Sequence, residues 1–145
     1  MNFIRLTHFQ LGADKNLFTT SRVIVQKIEN VGEITLAKHV KATAKSLFGE
    51  RITGSKNMQL FYSRFEVGGE TYLHSHDVES GHFILSGELQ LITEEGEWIV
   101  KANTAVFIPP KIKHRFKNMG EIEAYMLSIF SPPEPMYEID GFSGI

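Results

Sequence analysis

Between Leu73 and His82 the chain places three histidines, His74, His76 and His82, beside two carboxylates, Asp77 and Glu79. A further histidine, His114, follows the Pro109-Pro110 step. On an extended strand alternate side chains share a face, so His74 and His76 point the same way, about 7 Å apart along the backbone. A metal–nitrogen bond is only ~2 Å long, so two such imidazoles define a point just off the strand, and a third ligand must come from a neighbouring strand. His114 is the candidate for that third ligand. Imidazoles bind in the neutral form and their unperturbed pKa is ~6.5, so a bound ion is expected to leave on acidification below that region.

The composition narrows the chemistry. The 145 residues contain no cysteine, which removes disulfides, thiolate nucleophiles and sulfur ligation, so any metal sits on nitrogen and oxygen. With a net charge of −2 and mixed signs along the chain, there is no one-sided positive field of the kind a phosphate backbone selects, and no nucleic-acid partner is expected. The opening Met1-Asn2-Phe3-Ile4-Arg5-Leu6 is too short for a signal-peptide apolar segment, and no apolar run reaches the length of a membrane span. A cytoplasmic address with no membrane partner is the expectation.

The elements that must carry the histidines come next. Residues 1–21 alternate weakly and suggest an edge strand, with His8 solvated, and the β-branched run 22–28 predicts another strand. Ala37, Val40, Ala44, Leu47 and Phe48 recur at helical spacing before Gly49, which predicts a short helix near 36–48 with His39 on its solvent shoulder. From Met58 the texture changes to short alternating runs separated by turns: 58–67, 71–76, 82–85, 89–93, 98–100, 105–108, 114–117 and 123–130. That pattern predicts a sandwich or closed barrel with room for one ligand. Leu60, Tyr62 and Arg64 share one face of the 58–67 strand and Phe61, Ser63 and Phe65 the other. The pattern leaves open which set turns inward, although an outward, ion-paired Arg64 is the simpler reading. The prolines of Ser131-Pro132-Pro133-Glu134-Pro135 cannot serve a central strand, so the tail is expected to run over an edge. A single domain follows, divided as 1–56 (strands and the short helix), 57–131 (the histidine-bearing barrel) and 132–145 (the tail).

Gly68, five residues, His74-Ser75-His76 and then Gly87 resemble the first motif of the cupin superfamily, Gly, five residues, His-x-His, three or four residues, Glu, six residues, Gly. Pro109, His114 and Asn118 resemble the second motif with every spacing kept. The resemblance covers about half the chain. It implies an all-β, single cupin-type antiparallel barrel, a double-stranded β-helix or jelly roll, here with a short N-terminal helix. The chain departs from the pattern at three positions: Asn103 and Lys111 stand where the second motif has glycine, and Ser80 stands where the first has its ligating glutamate. A serine is too short to replace a carboxylate. Glu79 reaches an ion only if the turn slips by one residue, whereas His82 shares the parity of Ser80 and should point inward, so the fourth position falls to His82, to Glu79 or to neither. The metal set is thus His74, His76 and His114, with His82, and Glu79 and His82 are the candidates for moving protons.

The resemblance implies one divalent ion, iron, manganese, zinc or nickel, in a mononuclear enzyme of the three-histidine dioxygenase type acting on a small oxygen-rich metabolite. A non-redox isomerase, cyclase or lyase, or a module that only binds a small ligand, are the alternatives. A small-molecule substrate and a homodimer are the partners expected.

Overall fold

The computed structural model describes residues 23–36 and 38–134. The edge strand and His8 expected within residues 1–21, position 37, and the tail beyond Glu134 lie outside them. Among the described residues, nine strands follow a 3-10 turn at Ile28–Asn30: β1 (Ile34–Thr35), β2 (Val40–Phe48), β3 (Gln59–Glu70), β4 (Glu79–Ser86), β5 (Glu88–Thr93), β6 (Gly96–Lys101), β7 (Thr104–Ile108), β8 (His114–Lys117) and β9 (Ala124–Ser131). A four-residue helix, α1 (Glu50–Thr53), lies between β2 and β3. The hydrogen-bonded path runs β6-β5-β8-β3-β9-β4-β7, with β1 and β2 added beside β3, and every pairing is antiparallel. The result is a barrel closed except at the seam between the end strands β6 and β7. Among the described residues no helix is long and apolar enough to cross a membrane.

The barrel closes because β3 serves two groups of strands. From Gln59 to Phe65 it pairs with β9, and at Glu70 it crosses to β8 through Lys117. The backbone continues that second pairing past the strand end. Thr71 N–H donates to Phe116 O at 2.9 Å, and His74 and His114 exchange both N–H···O bonds, at 3.1 and 2.8 Å. The expected strand 71–76 is therefore present as an extended arm with a single bridge at His74. Inside sit alternate residues of each strand, Phe65, Ile84, Leu89, Leu91, Phe116 and Met126 at the centre, as period-2 patterning requires when one face is buried.

Two expectations for the N-terminal third are overturned. Residues 40–48 form β2 rather than a helix. Ala42, Ala44 and Ser46 are buried in alternation against β3, and the 3–4 spacing of Ala, Leu and Val hid that period-2 face. Ladder pairing with a strand of the closed core outweighs the helix preference of Ala and Lys, which is worth well under ~1 kcal/mol per residue. Of the run 22–28, the described residues 23–28 also fail to make a strand: Val23 and Val25 are exposed and Ile28 opens the 3-10 turn.

The turns obey the family pattern even where residue types differ. Asn103 and Lys111 hold φ values of 67° and 70°, the left-handed region in which glycine is at home. Gly87 (φ +77°) is irreplaceable in another sense, because a Cβ there would lie 2.7 Å from Glu123 O. Asn118 fixes its turn while buried: Nδ2 donates to Phe65 O, Glu66 O and Ile122 O, and Oδ1 accepts from Gly120 N–H.

Candidate metal centre

His74, His76 and His114 converge. One ring nitrogen from each can be chosen so that all three lie within 4.8 Å of one another, and the ring centroids are 4.7 to 5.4 Å apart. The antiparallel bridge between His74 and His114 sets the two imidazoles side by side, and His76 follows two residues on with the same facing.

Each Nδ1 is already taken by an acceptor. His74 Nδ1 donates to Tyr72 O at 2.6 Å, His114 Nδ1 to Ile112 O at 2.9 Å, and His76 Nδ1 to the Glu134 carboxylate at 2.8 Å. Carbonyl and carboxylate oxygens accept only, so all three rings carry their proton on Nδ1 and turn the lone pair of Nε2 toward the common centre. Burial keeps His74 and His114 neutral. His74 is pushed down to about 3, first by desolvation and then by His114, and His114 to about 4, chiefly by desolvation. Three imidazoles with their Nδ1 atoms engaged and no thiolate form a nitrogen donor set that fits iron, manganese, zinc or nickel. Protonation of metal-free His74 and His114 is displaced well below the ordinary imidazole value, so acid release of an ion is expected at lower pH than the sequence implied.

His82 lies beside this group but outside it. It is fully buried on β4, its ring 6.3 Å from that of His114 and 5.1 Å from Phe116. Its nitrogens meet hydroxyls: Ser80 Oγ at Nε2, 2.9 Å, and Ser128 Oγ at Nδ1, 2.8 Å. Desolvation holds its pKa far below the ordinary value. Ser80, at the family's glutamate position, faces inward and is bonded to His82. Glu79 has the opposite parity, is exposed on the outer face of β4 across from Ser131, and is not brought to the histidines. The turn does not slip.

Leu36, Ala44, Phe61 and Phe130 wall the space in front of the imidazoles, a cavity of ≈ 60 Å³, on the order of four waters. No Asp, Glu, Lys or Arg is among its lining residues. Arg64 turns outward and pairs with Glu33 at 2.9 Å and Glu123 at 3.1 Å. Tyr62 stacks on the outer face against Tyr125.

Four participants escaped the sequence. His39, expected at the surface of a helix, lines the cavity, its ring 5.2 Å from Tyr72 and 5.9 Å from His74, and burial pushes its pKa to about 4. Ser128 stands among Ala124, Met126 and Phe130 on the inward face of β9, so a hydroxyl interrupting an apolar alternation was the signal for it. Gln59 likewise interrupts the inward face it shares with Phe61 and Phe65. Glu134 lies 58 positions from His76, and nothing local marked it.

A small antiparallel barrel with a buried three-histidine group is the class of molecule these features define. The model of the cupin domain matches residues 61–130, just under half of the chain, and over that stretch the chain is similar to the cupin superfamily. The RmlC-like cupin from Shewanella frigidimarina superposes with a TM-score of 0.68 at 16% identity, covering 80% of this chain and 96% of that one. The polyketide cyclase RemF from Streptomyces resistomycificus gives 0.71 at 19% identity, covering 79% and 82%. In sequence, auxin-binding protein 1 of Arabidopsis thaliana is 31% identical over 94 residues, 59% of this chain. The chain spans about half the length of the curated relatives it matches, 54% and 48%.

Proposed function

We propose that the protein binds one divalent ion through Nε2 of His74, His76 and His114, and that it is a mononuclear metal enzyme of the three-histidine dioxygenase type acting on a small oxygen-bearing metabolite. The observation that carries this reading is the engagement of all three Nδ1 atoms by acceptors, which leaves the three Nε2 atoms to meet at one point. An ion held there supplies Lewis acidity to an oxygen ligand and, if redox-active, the electrons for dioxygen chemistry.

The chain's own residues support the oxygenase form by what they place in the cavity. Its apolar walls exclude water and pack the body of a small ligand, and among the described residues lining it no carboxylate or amine is available as a general base. Beside the three converging rings, His39 also lines the cavity, and His82 can hold or move a proton at Nε2 in exchange with Ser80 Oγ. That pairing favours the second reading, non-redox isomerisation, cyclisation or elimination, toward which the similarity to a polyketide cyclase also leans. Binding without turnover is the third.

Metal analysis of protein purified without added ions, followed by oxygen-electrode measurements with candidate chelating acids, separates them. Iron with substrate-dependent oxygen uptake is the expected result. Zinc with no oxygen consumption removes the oxygenase. Ligands that raise the melting temperature but are never consumed indicate binding alone.

We also propose a homodimer. Phe107 and Ile129 flank Gly81 in register on neighbouring strands, and with Phe83 they make an exposed apolar face. A monomer mass by sedimentation overturns it.

A further inference from the structure

We propose that Glu134 is a positioning residue of the three-histidine centre: clamped by Gln59, its carboxylate holds His76 in the tautomer and orientation that present Nε2 to a bound divalent cation. The inference rests on the metal reading above and goes beyond it, because Glu134 lies outside both histidine motifs and touches neither His74 nor His114.

The three Nδ1 atoms are not held alike. His74 and His114 each donate to the carbonyl two residues earlier, Tyr72 O and Ile112 O, so the acceptor is encoded by the same short segment as the ring. The equivalent carbonyl for His76 is His74 O, which already accepts from His114 N–H at 2.8 Å. His76 takes its acceptor from 58 positions along the chain instead, Glu134 Oε1 at 2.8 Å, with side-chain exposures of 5% and 22%. Of the three rings, His76 alone is thus oriented by an anion. An anionic acceptor fixes the ring more firmly than a carbonyl does and makes its far nitrogen a better electron donor.

Gln59 explains how a residue just past the last strand can be placed so well. Its side chain is fully buried, and burying an amide among Phe61 and Phe65 is unfavourable unless both its ends are satisfied. Both ends go to Glu134: Oε1 accepts from Glu134 N–H at 2.6 Å, and Nε2 donates to Glu134 O at 3.2 Å. This two-point pairing imitates one rung of a β-ladder and fixes the backbone from which the carboxylate reaches His76. Ser131 Oγ, donating to Asn57 O at 2.6 Å, secures the approach.

The test compares wild type with Glu134→Gln, Glu134→Ala and Gln59→Leu, by Zn²⁺ affinity in competition with a chromophoric chelator and by ¹⁵N imidazole NMR of the metal-free proteins. Glu134→Ala is expected to weaken Zn²⁺ binding 10- to 100-fold and to shift His76 from the Nδ1–H form to a mixture of tautomers. Glu134→Gln, whose amide oxygen still accepts, should keep the tautomer and lose less affinity. Gln59→Leu should resemble Glu134→Ala although its carboxylate is intact, which a general loss of charge near the centre would not produce. Should Gln59→Leu fail to fold, the two Glu134 variants carry the test. Wild-type Zn²⁺ affinity in Glu134→Ala, or an unchanged His76 tautomer, overturns the positioning role while leaving the three-histidine centre standing. A wild-type protein that binds no Zn²⁺ overturns the metal reading, and this role with it.

Discussion

Two kinds of buried imidazole face one cavity, and their partners make them different reagents. His74, His76 and His114 give Nδ1–H to oxygens that can only accept, so their tautomers are fixed and three lone pairs meet. His82 lies between two hydroxyls, each able to donate or accept, so the proton can sit on either nitrogen without leaving a buried group unpaired. Acceptor type, rather than burial or residue identity, separates a ring with a fixed lone pair from a neighbour whose proton can move.

The largest effect expected from this contrast is in His114→Ala. Removing one of three nitrogen donors should lower Zn²⁺ or Fe²⁺ affinity by more than 100-fold, as read by chelator competition, whereas His82→Asn should change it only a few-fold. Equal losses from the two variants would erase the distinction between the groups.

Acidification is the next lever, and its sign follows from the direction of the shifts. His74 and His114 are depressed to about 3 and about 4 in the folded, metal-free protein, against ~6.5 in the unfolded chain. Between those values the unfolded state binds more protons, so stability rises with pH. The folded state is therefore at full strength above about pH 6.5 and loses several kcal/mol as pH falls toward 4. Protons compete with an ion only at the three aimed nitrogens, so loading with Zn²⁺ should move the acid unfolding midpoint down. Urea melts of metal-free protein that are flat between pH 7 and 4.5 would contradict this.

The same contrast marks what the sequence could disclose. The convergence of His74, His76 and His114 was legible because each lies in a short motif whose spacing survives, and the turn geometry survived even the replacement of glycine by Asn103 and Lys111. Alternation also placed Ser80 and His82 on the inward face and Glu79 outside it. What stayed hidden involves distance or ambiguity. Glu134 reaches His76 across 58 positions, and chain closure of that length leaves no local trace. The β2 segment carries Ala and Lys residues whose spacing suits a helix as well as a strand, and only pairing with β3 decides. His39 went unread for that reason, since its place beside Tyr72 and His74 depends on β2 being extended.

The smallest effects should come from the hydroxyls and from Glu79, and they test the comparison most finely. Ser128→Ala removes one partner of a buried imidazole and leaves Nδ1 of His82 unpaired, which costs about 1–3 kcal/mol; Ser80→Ala does the same at Nε2. Neither hydroxyl meets the three converging nitrogens, so both variants should melt earlier yet hold Zn²⁺ within a few-fold of wild type. The double variant strips His82 of both partners, and its cost should exceed the sum of the two, because the second removal takes away the hydroxyl to which the proton could still be assigned. Glu79→Gln, on the solvent face of β4, should shift stability by no more than about 0.5 kcal/mol and leave affinity untouched. If a serine variant instead abolished ion binding while the fold persisted, His82 would belong with the ligands, and the hydroxyl pair would be the means of aiming a fourth imidazole.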